Sequence, residues 1–445
     1  MKLQLLLILL LTTVLHFNLI AQADSKVSVG VASYQSEDYE KAIENLNTAL
    51  ADPTQLKSKN VPKAYYYRAM SYLAIFRKFA IKKNAEGLEK YHNAKLDAYN
   101  DLKQAKENDS KGKYKSLVEK EILDLYPPLL NSGLYLVSSS YDKSLTASNK
   151  QAIHDLAVQY LNVCIEIKPT NYYAYEFLGQ LYHNKYFGAE FNEEGLIKET
   201  LPLFQKALEN AQADKNRKPD QLITYTCYRL ALIHRYAKKD LDVAFEYITL
   251  GKKILEEEHQ KLVNKKQEHT DANWAKVEQQ YNNCLADMNA FELDLYLNSP
   301  EKLKEALTKF EEAIKKRPND DIVHIAYAQL LEKVDVEKSI AIYKKAIVIN
   351  PESFMAHFNL GAVYNNIAKE YYDKANEEED YDKAKVWQKK VDESFKLALA
   401  PFQQAHEIDP TDLSTVRALK QITIKLEMME EYQKYKAIET ELTKN

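Results

Sequence analysis

The chain of 445 residues carries 61 basic and 65 acidic side chains, and this net charge of −4 gives no electrostatic reason to expect nucleic acid or an anionic membrane as partner. Only 9 glycines are present, whereas the loops that hold phosphates and dinucleotides need glycine at several fixed positions. No phosphate-binding loop, paired-cysteine zinc motif or His-Glu-x-x-His motif occurs. We therefore predict no enzyme activity, no cofactor and no metal.

The N-terminus has the pattern of a secretory signal peptide. Lys2 precedes an apolar run from Leu3 to Leu11, which continues more loosely to Ile20 and ends at Ala21-Gln22-Ala23. A basic start, an apolar segment and a small-x-small junction are typical of such a peptide, and the alternative is an uncleaved anchor. No later stretch reaches the roughly 18 apolar residues of a membrane span. We predict cleavage after Ala23 and a mature chain that is periplasmic or secreted, with no membrane span.

The three cysteines are predicted to be core residues. Export makes disulfides possible, but Cys164, Cys227 and Cys284 are odd in number and each lies within a helical pattern. A small buried thiol is therefore favoured over a disulfide at each position.

One spacing recurs along the chain: a small residue, a bulky residue four positions later and a small residue three positions after that. Spacings of four and three place all three residues on one face of a helix, where small residues let a neighbouring helix approach and the bulky residue fills the gap. In four units a proline follows five residues later, and proline ends a helix. The units are Ala42-Leu46-Ala49, Ala98-Leu102-Ala105, Ala157-Leu161-Cys164, Thr200-Phe204-Ala207, Ala244-Ile248-Gly251, Ala306-Phe310-Ala313, Ser339-Tyr343-Ala346 and Ala398-Phe402-Ala405.

A second pattern precedes some of these units. Leu178-Gly179 with Tyr182, and Leu360-Gly361 with Tyr364, place a glycine where two helices would cross closely. Together the two patterns resemble the tetratricopeptide repeat (TPR) family, best over Asp321 to Pro410, and the chain is similar to exported TPR proteins of Bacteroidota-type Gram-negative bacteria. The resemblance implies an all-α fold, a right-handed solenoid of antiparallel helix pairs with a concave groove.

The repeat spacing is irregular, which predicts extended helices and insertions. Residues 80–95 and 367–396 have helical composition and are expected to prolong helix pairs into hairpins, and the chain after Pro410 resembles a closing helix pair that caps the array. We predict a signal peptide over 1–23, an N-terminal array over 24–258 and a long-helix connector with an irregular repeat over 259–318. A C-terminal array with a hairpin insertion and cap follows over 319–445.

The cluster of Glu258, His259 and His269 is the nearest approach to a metal site. Ten residues along a helix span about 15 Å, so the two histidines cannot share one ion on a straight helix. A solvated helix face is predicted here instead.

The groove of this family is lined by the first helix of each pair, and the resemblance transfers that role to the matching positions here. Aromatic rings and amides there suit an extended peptide segment. Family members that clamp a terminal carboxylate use lysine at positions occupied here by Glu176, Tyr228, Ile325 and Phe358, so that subclass is not predicted. The predicted partner-binding residues are Tyr173, Glu176, Gln180, Asn184, Tyr225, Tyr228, Arg229, Tyr236, Phe358, Asn359 and Asn366.

The sequence thus predicts a non-catalytic scaffold or adaptor of the cell envelope whose partner is a protein or peptide segment. The alternative is a glycan-binding surface protein built on the same helices. Only two tryptophans are present, and no cysteine at the signal-peptide junction offers a lipid anchor, so the glycan alternative ranks second.

Overall fold

The computed structural model describes residues 20–142, 144–188, 191–268 and 270–443. The predicted signal peptide therefore lies mostly outside the described residues, and its last four residues belong to a helix that runs from residue 20 to residue 35. Within the described ranges no helix combines the length and the apolar character that a membrane crossing requires.

The described chain is built from α-helices and their connections, and no strand occurs in these ranges. Two helices contain a π-helical turn: Leu196–Thr200 leads into α10 and His234–Lys238 follows α11. The helices are α1 (20–35), α2 (Tyr39–Leu50), α3 (Val61–Ile81), α4 (Ala85–Lys90), α5 (Ala94–Glu107), α6 (Lys115–Ser139), α7 (Ala147–Ile167), α8 (Tyr172–Tyr186), α9 (Glu193–Gly195), α10 (Leu201–Ala213), α11 (Leu222–Ile233), α12 (Leu241–Val263), α13 (Asp271–Leu297), α14 (Leu303–Lys316), α15 (Asp321–Leu331), α16 (Val336–Ile349), α17 (Phe354–Glu377), α18 (Tyr381–Ile408), α19 (Leu413–Lys425) and α20 (Met429–Leu442).

Neighbouring helices pack in pairs, and each pair packs on the first helix of the next. The helix pairs α3/α5, α6/α7, α8/α10 and α11/α12 are in contact, as are α15/α16, α17/α18 and α19/α20. Between pairs, α5 packs on α6, α7 on α8, α10 on α11, α16 on α17 and α18 on α19. This order of contacts defines a helical-repeat array, so the predicted all-α repeat fold is confirmed.

The chain divides into two compact units, one ending at Leu285 and the other beginning at Ala286. The division lies inside α13 and inside the predicted connector over 259–318. The other predicted segment boundaries stay predictions. Each unit has its own apolar core, made of successive clusters between helix pairs.

The small–bulky–small residues form the contacts between paired helices, as predicted. In seven of the eight units all three residues are buried. The exception is α14, where Ala306 is fully buried but Phe310 and Ala313 are half-buried. The spacing therefore identifies the packing face correctly, while the completeness of burial depends on how much neighbouring helix covers that face.

Glycines on the first helices meet the bulky residues of the second helices. A Cβ added at Gly179 would lie 2.7 Å from the ring of Phe204, and one added at Gly361 would lie 2.8 Å from the ring of Phe402. Gly30 stands in the same relation to Leu46. These distances are far below an ordinary carbon–carbon contact of about 3.5–4.0 Å. Glycine is therefore required at these crossings for space.

The two predicted insertions differ in structure. The long pair α17 and α18 continues as a hairpin in which Tyr371 stacks on Trp387 at 5.8 Å between ring centroids. In contrast, the segment after α3 folds back as the short helix α4, which Asn84 caps by accepting a hydrogen bond from the Gly87 amide at 2.8 Å. Residues 80–95 thus close over α3 instead of extending it.

The prediction of a solvated helix face at Glu258 is wrong. Glu258 is only 4% exposed and forms an ion pair with Arg217 from the connection before α11. His259 stacks on Tyr281 with 3.9 Å between ring centroids. A charged residue can be buried when its partner is buried with it, and the partner lies 41 residues away. His269 lies outside the described residues, and no group of potential metal ligands occurs within them.

Candidate partner-binding surface

One face of α11 is partly exposed and rich in tyrosine. Tyr225, Tyr228, Arg229 and Leu232 are each half-buried, whereas the residues between them are buried. Their spacings of three and four place them on one side of the helix. The ring of Tyr228 stands perpendicular to that of Tyr225 at 6.5 Å. The Arg229 guanidinium lies 5.9 Å from the Tyr225 ring centroid.

The preceding first helix, α8, presents a matching face. Tyr173, Phe177 and Gln180 are half-buried, and Asn184 is exposed. These residues also recur every three to four positions. We call the two faces together the α8–α11 surface, defined by Tyr173, Phe177, Gln180, Asn184, Tyr225, Tyr228, Arg229 and Leu232.

A buried carboxylate joins the two helices beneath this surface. Glu176 is 0% exposed, and its Oε1 accepts a hydrogen bond from Arg229 Nη1 at 2.7 Å. The same side chain accepts from the Thr226 hydroxyl and from Gln180 Nε2. A carboxylate can accept about four hydrogen bonds, so three donors satisfy most of its capacity. Glu176 therefore fixes Arg229 and Gln180 from below, and its own carboxylate is covered.

Burial shifts the proton affinities in this region. Burial raises the pKa of Glu176 above its ordinary value, and Arg229, Thr226 and Gln180 act against that rise. Burial, with the nearby Arg229 charge, lowers the pKa of His183 to about 4. His183 stacks on Phe187 at 4.8 Å between ring centroids, so it is a neutral packing residue at pH 7.

The ends of the surface are fixed by polar and aromatic contacts. The hydroxyl of Tyr173 donates to Asp220 Oδ2 at 3.3 Å, and the Asn184 amide donates to the hydroxyl of Tyr141. Tyr236 is 38% exposed and packs edge-on against Phe187 at 5.7 Å. The predicted residues of this unit thus lie on two adjacent helices and in the turn that follows α11.

The three remaining predicted residues lie in the second unit, on α17. Phe358 and Asn359 are half-buried and Asn366 is exposed. Phe358 packs edge-on against Phe402, the bulky residue of α18, with ring centroids 5.5 Å apart. Phe358 therefore contributes to packing, and of the three only Asn366 is well exposed.

The chemistry available on the α8–α11 surface suits binding. Phenol, amide and guanidinium groups supply hydrogen bonds, while the tyrosine rings supply flat apolar area. Buried Cys227 lies on the covered side of α11, and burial raises the pKa of its thiol to about 12. A thiol with so high a pKa is a poor nucleophile at neutral pH.

A second feature, a cleft around Lys95 in the first unit, was not predicted from the sequence. Its walls come from α3, α4, α5, α6 and α7, and α4 contributes to them because it folds back. The rare glycine at position 87 is the single hint of that fold-back, since a Cβ there would lie 2.5 Å from the ring of Phe79.

No protein-family model matches the chain, and no relative was found among curated proteins. Many solved structures overlap with much of it, including the three that follow. The human IFIT1 dimer is 16% identical over 96% of this chain and 95% of that chain, with a TM-score of 0.26. The C-terminal part of a TPR repeat-containing protein from Cytophaga hutchinsonii is 16% identical over 88% and 99%, with a TM-score of 0.23. The TPR2AB domain of yeast Sti1 is 14% identical over 68% and 99%, also with a TM-score of 0.23. At these identities and TM-scores the fold assignment rests on the chain's own helix pairs.

Proposed function

We propose that this protein is a non-catalytic interaction scaffold of the cell envelope and that the α8–α11 surface holds an extended segment of a partner protein. The observation that carries the proposal is the half-exposed cluster of Tyr225, Tyr228 and Arg229 on a first helix. Tyrosine and arginine dominate binding energy when a partner desolvates them.

The hydrogen bonds that hold Arg229 and Gln180 in place are a further argument for this proposal. Arg229 is oriented by the 2.7 Å bond to Glu176, so little side-chain entropy remains to be lost when a partner binds. Ordering one long side chain on binding costs about 0.5–1.5 kcal/mol, and this surface avoids that cost for Arg229. Gln180 is held by the same carboxylate.

Location in the envelope rests on the sequence pattern that ends at Ala21-Gln22-Ala23. A chain with this start is expected to be exported and cleaved. The mature protein would then begin at Asp24, which N-terminal sequencing of the exported form identifies.

Site-specific photo-crosslinking tests the surface. A benzoylphenylalanine placed at position 228 in the exported protein should yield a discrete adduct with another protein in intact cells. The matched control is the same group at Lys253, whose side chain is 72% exposed on α12, a second helix. We expect the adduct from position 228 and not from position 253.

Substitution then measures the contribution of the contact. Tyr228→Ala should weaken capture of the identified partner by roughly 1–2 kcal/mol and leave the melting temperature nearly unchanged, because Tyr228 is half-exposed.

Equal crosslinked adducts from positions 228 and 253 would contradict the proposal. Retention on immobilised glycans without any protein adduct would favour the glycan-binding alternative.

A further inference from the structure

A cleft of about 540 Å³ lies in the first unit, between the first helices α3 and α6. Its size falls within the roughly 300–1,000 Å³ of typical small-molecule sites, which are mainly apolar with a few polar groups. Most of its wall is apolar, and the side chains concerned include Phe76, Leu88, Pro128, Leu136 and Leu156.

Lys95 is the one lysine, arginine, aspartate or glutamate that lines this cleft. Its Nζ donates to Ser132 Oγ at 2.7 Å and lies 4.9 Å from the ring centroid of Phe76. Among the described residues no carboxylate lies within 4 Å of this ammonium group. An ammonium group has three hydrogen-bond donors, and Ser132 accounts for one of them.

The position is electrostatically unfavourable for a lysine. Lys95 is half-buried, and burial lowers the pKa of its ammonium group. It also lies in the first turn of α5, where the helix dipole favours negative charge and disfavours positive charge. Burial and the helix dipole thus disfavour this cation, and among the described residues no carboxylate pairs with it.

Charged side chains line the neighbouring cavities, but none of those described forms an ion pair with Lys95. A cavity of about 260 Å³ shares Phe76, Lys95 and Pro128 with the cleft and is also lined by Arg77, Glu121 and Asp124. Another, of about 370 Å³, shares His92 and Leu156 and includes Asp155. The 540 Å³ cleft itself therefore combines one cation with apolar walls and contains no carboxylate.

We propose that this cleft binds a small amphipathic monocarboxylate, with the carboxylate on Lys95 Nζ, which Ser132 Oγ orients, and the apolar body against Phe76, Leu88 and Leu156. Charge complementarity carries the assignment, because a carboxylate supplies the missing partner of Lys95. One ammonium group matches a monoanion, whereas phosphate groups are usually held by several cations or by the arginine fork. The proposal does not depend on the α8–α11 surface, since the two sites share no residue.

Calorimetric titration of the full mature chain with octanoate at pH 7 is the test. Octanamide, which has the same length but no charge, should bind at least about tenfold more weakly, as expected for loss of a charge-assisted hydrogen bond. Lys95→Met should cause a similar loss, and Lys95→Arg should retain binding within a few-fold. The matched control is Lys103→Met on the same helix, whose lysine pairs with Glu166 at the surface. It should leave octanoate binding unchanged.

Two accompanying measurements address folding and location. Lys95→Met should be at least as stable as the parent, because it removes a half-buried uncompensated charge. Octanoate should slow acetylation of the Lys95 amine, detected by mass spectrometry, and leave that of Lys103 unaffected. Equal affinities for octanoate and octanamide, or unchanged octanoate binding by Lys95→Met, would overturn the proposal. So would tighter binding of a peptide ending in a free phenylalanine carboxylate, because the ligand would then be a chain terminus.

Discussion

Gly179→Ala tests the close crossing of α8 and α10, because the sign of the change in stability shows whether the added methyl group is hindered. In an open helix, replacing glycine by alanine stabilises by roughly 0.8–1.0 kcal/mol. Here the added Cβ would lie 2.7 Å from Phe204 Cε1 and 2.8 Å from its Cδ1. Because the preferred separation is about 3.5–4.0 Å, the ring or the helix must move by roughly 1 Å.

The surroundings of Phe204 limit that movement. The residue is 0% exposed, with the Arg229 guanidinium 5.8 Å from its ring centroid and the His183 ring at 6.1 Å. Overpacking in such a site costs about 1–3 kcal/mol, which exceeds the helix-propensity gain in most of that range. We expect a net loss of about 1 kcal/mol for Gly179→Ala.

Urea denaturation followed by circular dichroism gives the free energy of unfolding. The matched background is Phe204→Ala, which removes the whole ring that faces the new methyl group. There the same Gly179→Ala change should be neutral or stabilising. A stabilisation near 1 kcal/mol in the parent protein would refute the close crossing of α8 and α10, because only an unhindered methyl group could produce it.

Two further predictions concern the base of the α8–α11 surface. Arg229→Ala leaves Glu176 buried without its cation and should lower the free energy of unfolding at pH 7 by roughly 3 kcal/mol. Urea titrations should show a smaller loss of stability from Arg229→Ala when Glu176→Gln is already present. Equal losses in the two backgrounds would argue against the ion pair. His183 has its pKa lowered from 6.5 to about 4 by burial, so its stabilising contribution is present above pH 6.5 and is lost as pH falls towards 4. One pKa unit corresponds to about 1.4 kcal/mol, so the free energy of unfolding of the parent should fall by up to about 3 kcal/mol more than that of His183→Gln over that interval. Thermal melts of the two proteins with parallel pH profiles would contradict this prediction.

The repeat packing could be predicted from sequence because it depends on local spacing. Gly179 and Phe204 belong to one helix pair, and small residues at fixed helical intervals identify the face that each helix presents. The same logic applies to Gly30, whose Cβ would lie 2.6 Å from Leu46. The sequence patterns do not identify Gly30, because valine and not leucine precedes it.

The polar arrangements could not be predicted, since they join residues far apart in the chain. Glu176 and Arg229 are 53 positions apart, and nothing in either helix shows that one carboxylate will be covered while its neighbours stay half-exposed. The prediction that Arg229 contacts a partner followed from its place on a first helix and did not include the contact with Glu176. The cleft at Lys95 depends on the path of the connection through α4, which helical composition does not specify.

The covered carboxylate of Glu176 also determines which experiments on this surface can be interpreted. Arg229 and Gln180 contact a group that stabilises the fold, so weaker binding after their substitution would mix lost contact with lost stability. Double-mutant analysis does not separate the two effects when each single change leaves a buried partner unsatisfied. Tyr228 has a half-exposed ring, and Glu176 accepts its hydrogen bonds from Arg229, Thr226 and Gln180. A change in binding at Tyr228 with unchanged stability is therefore the observation that assigns a binding role to this surface.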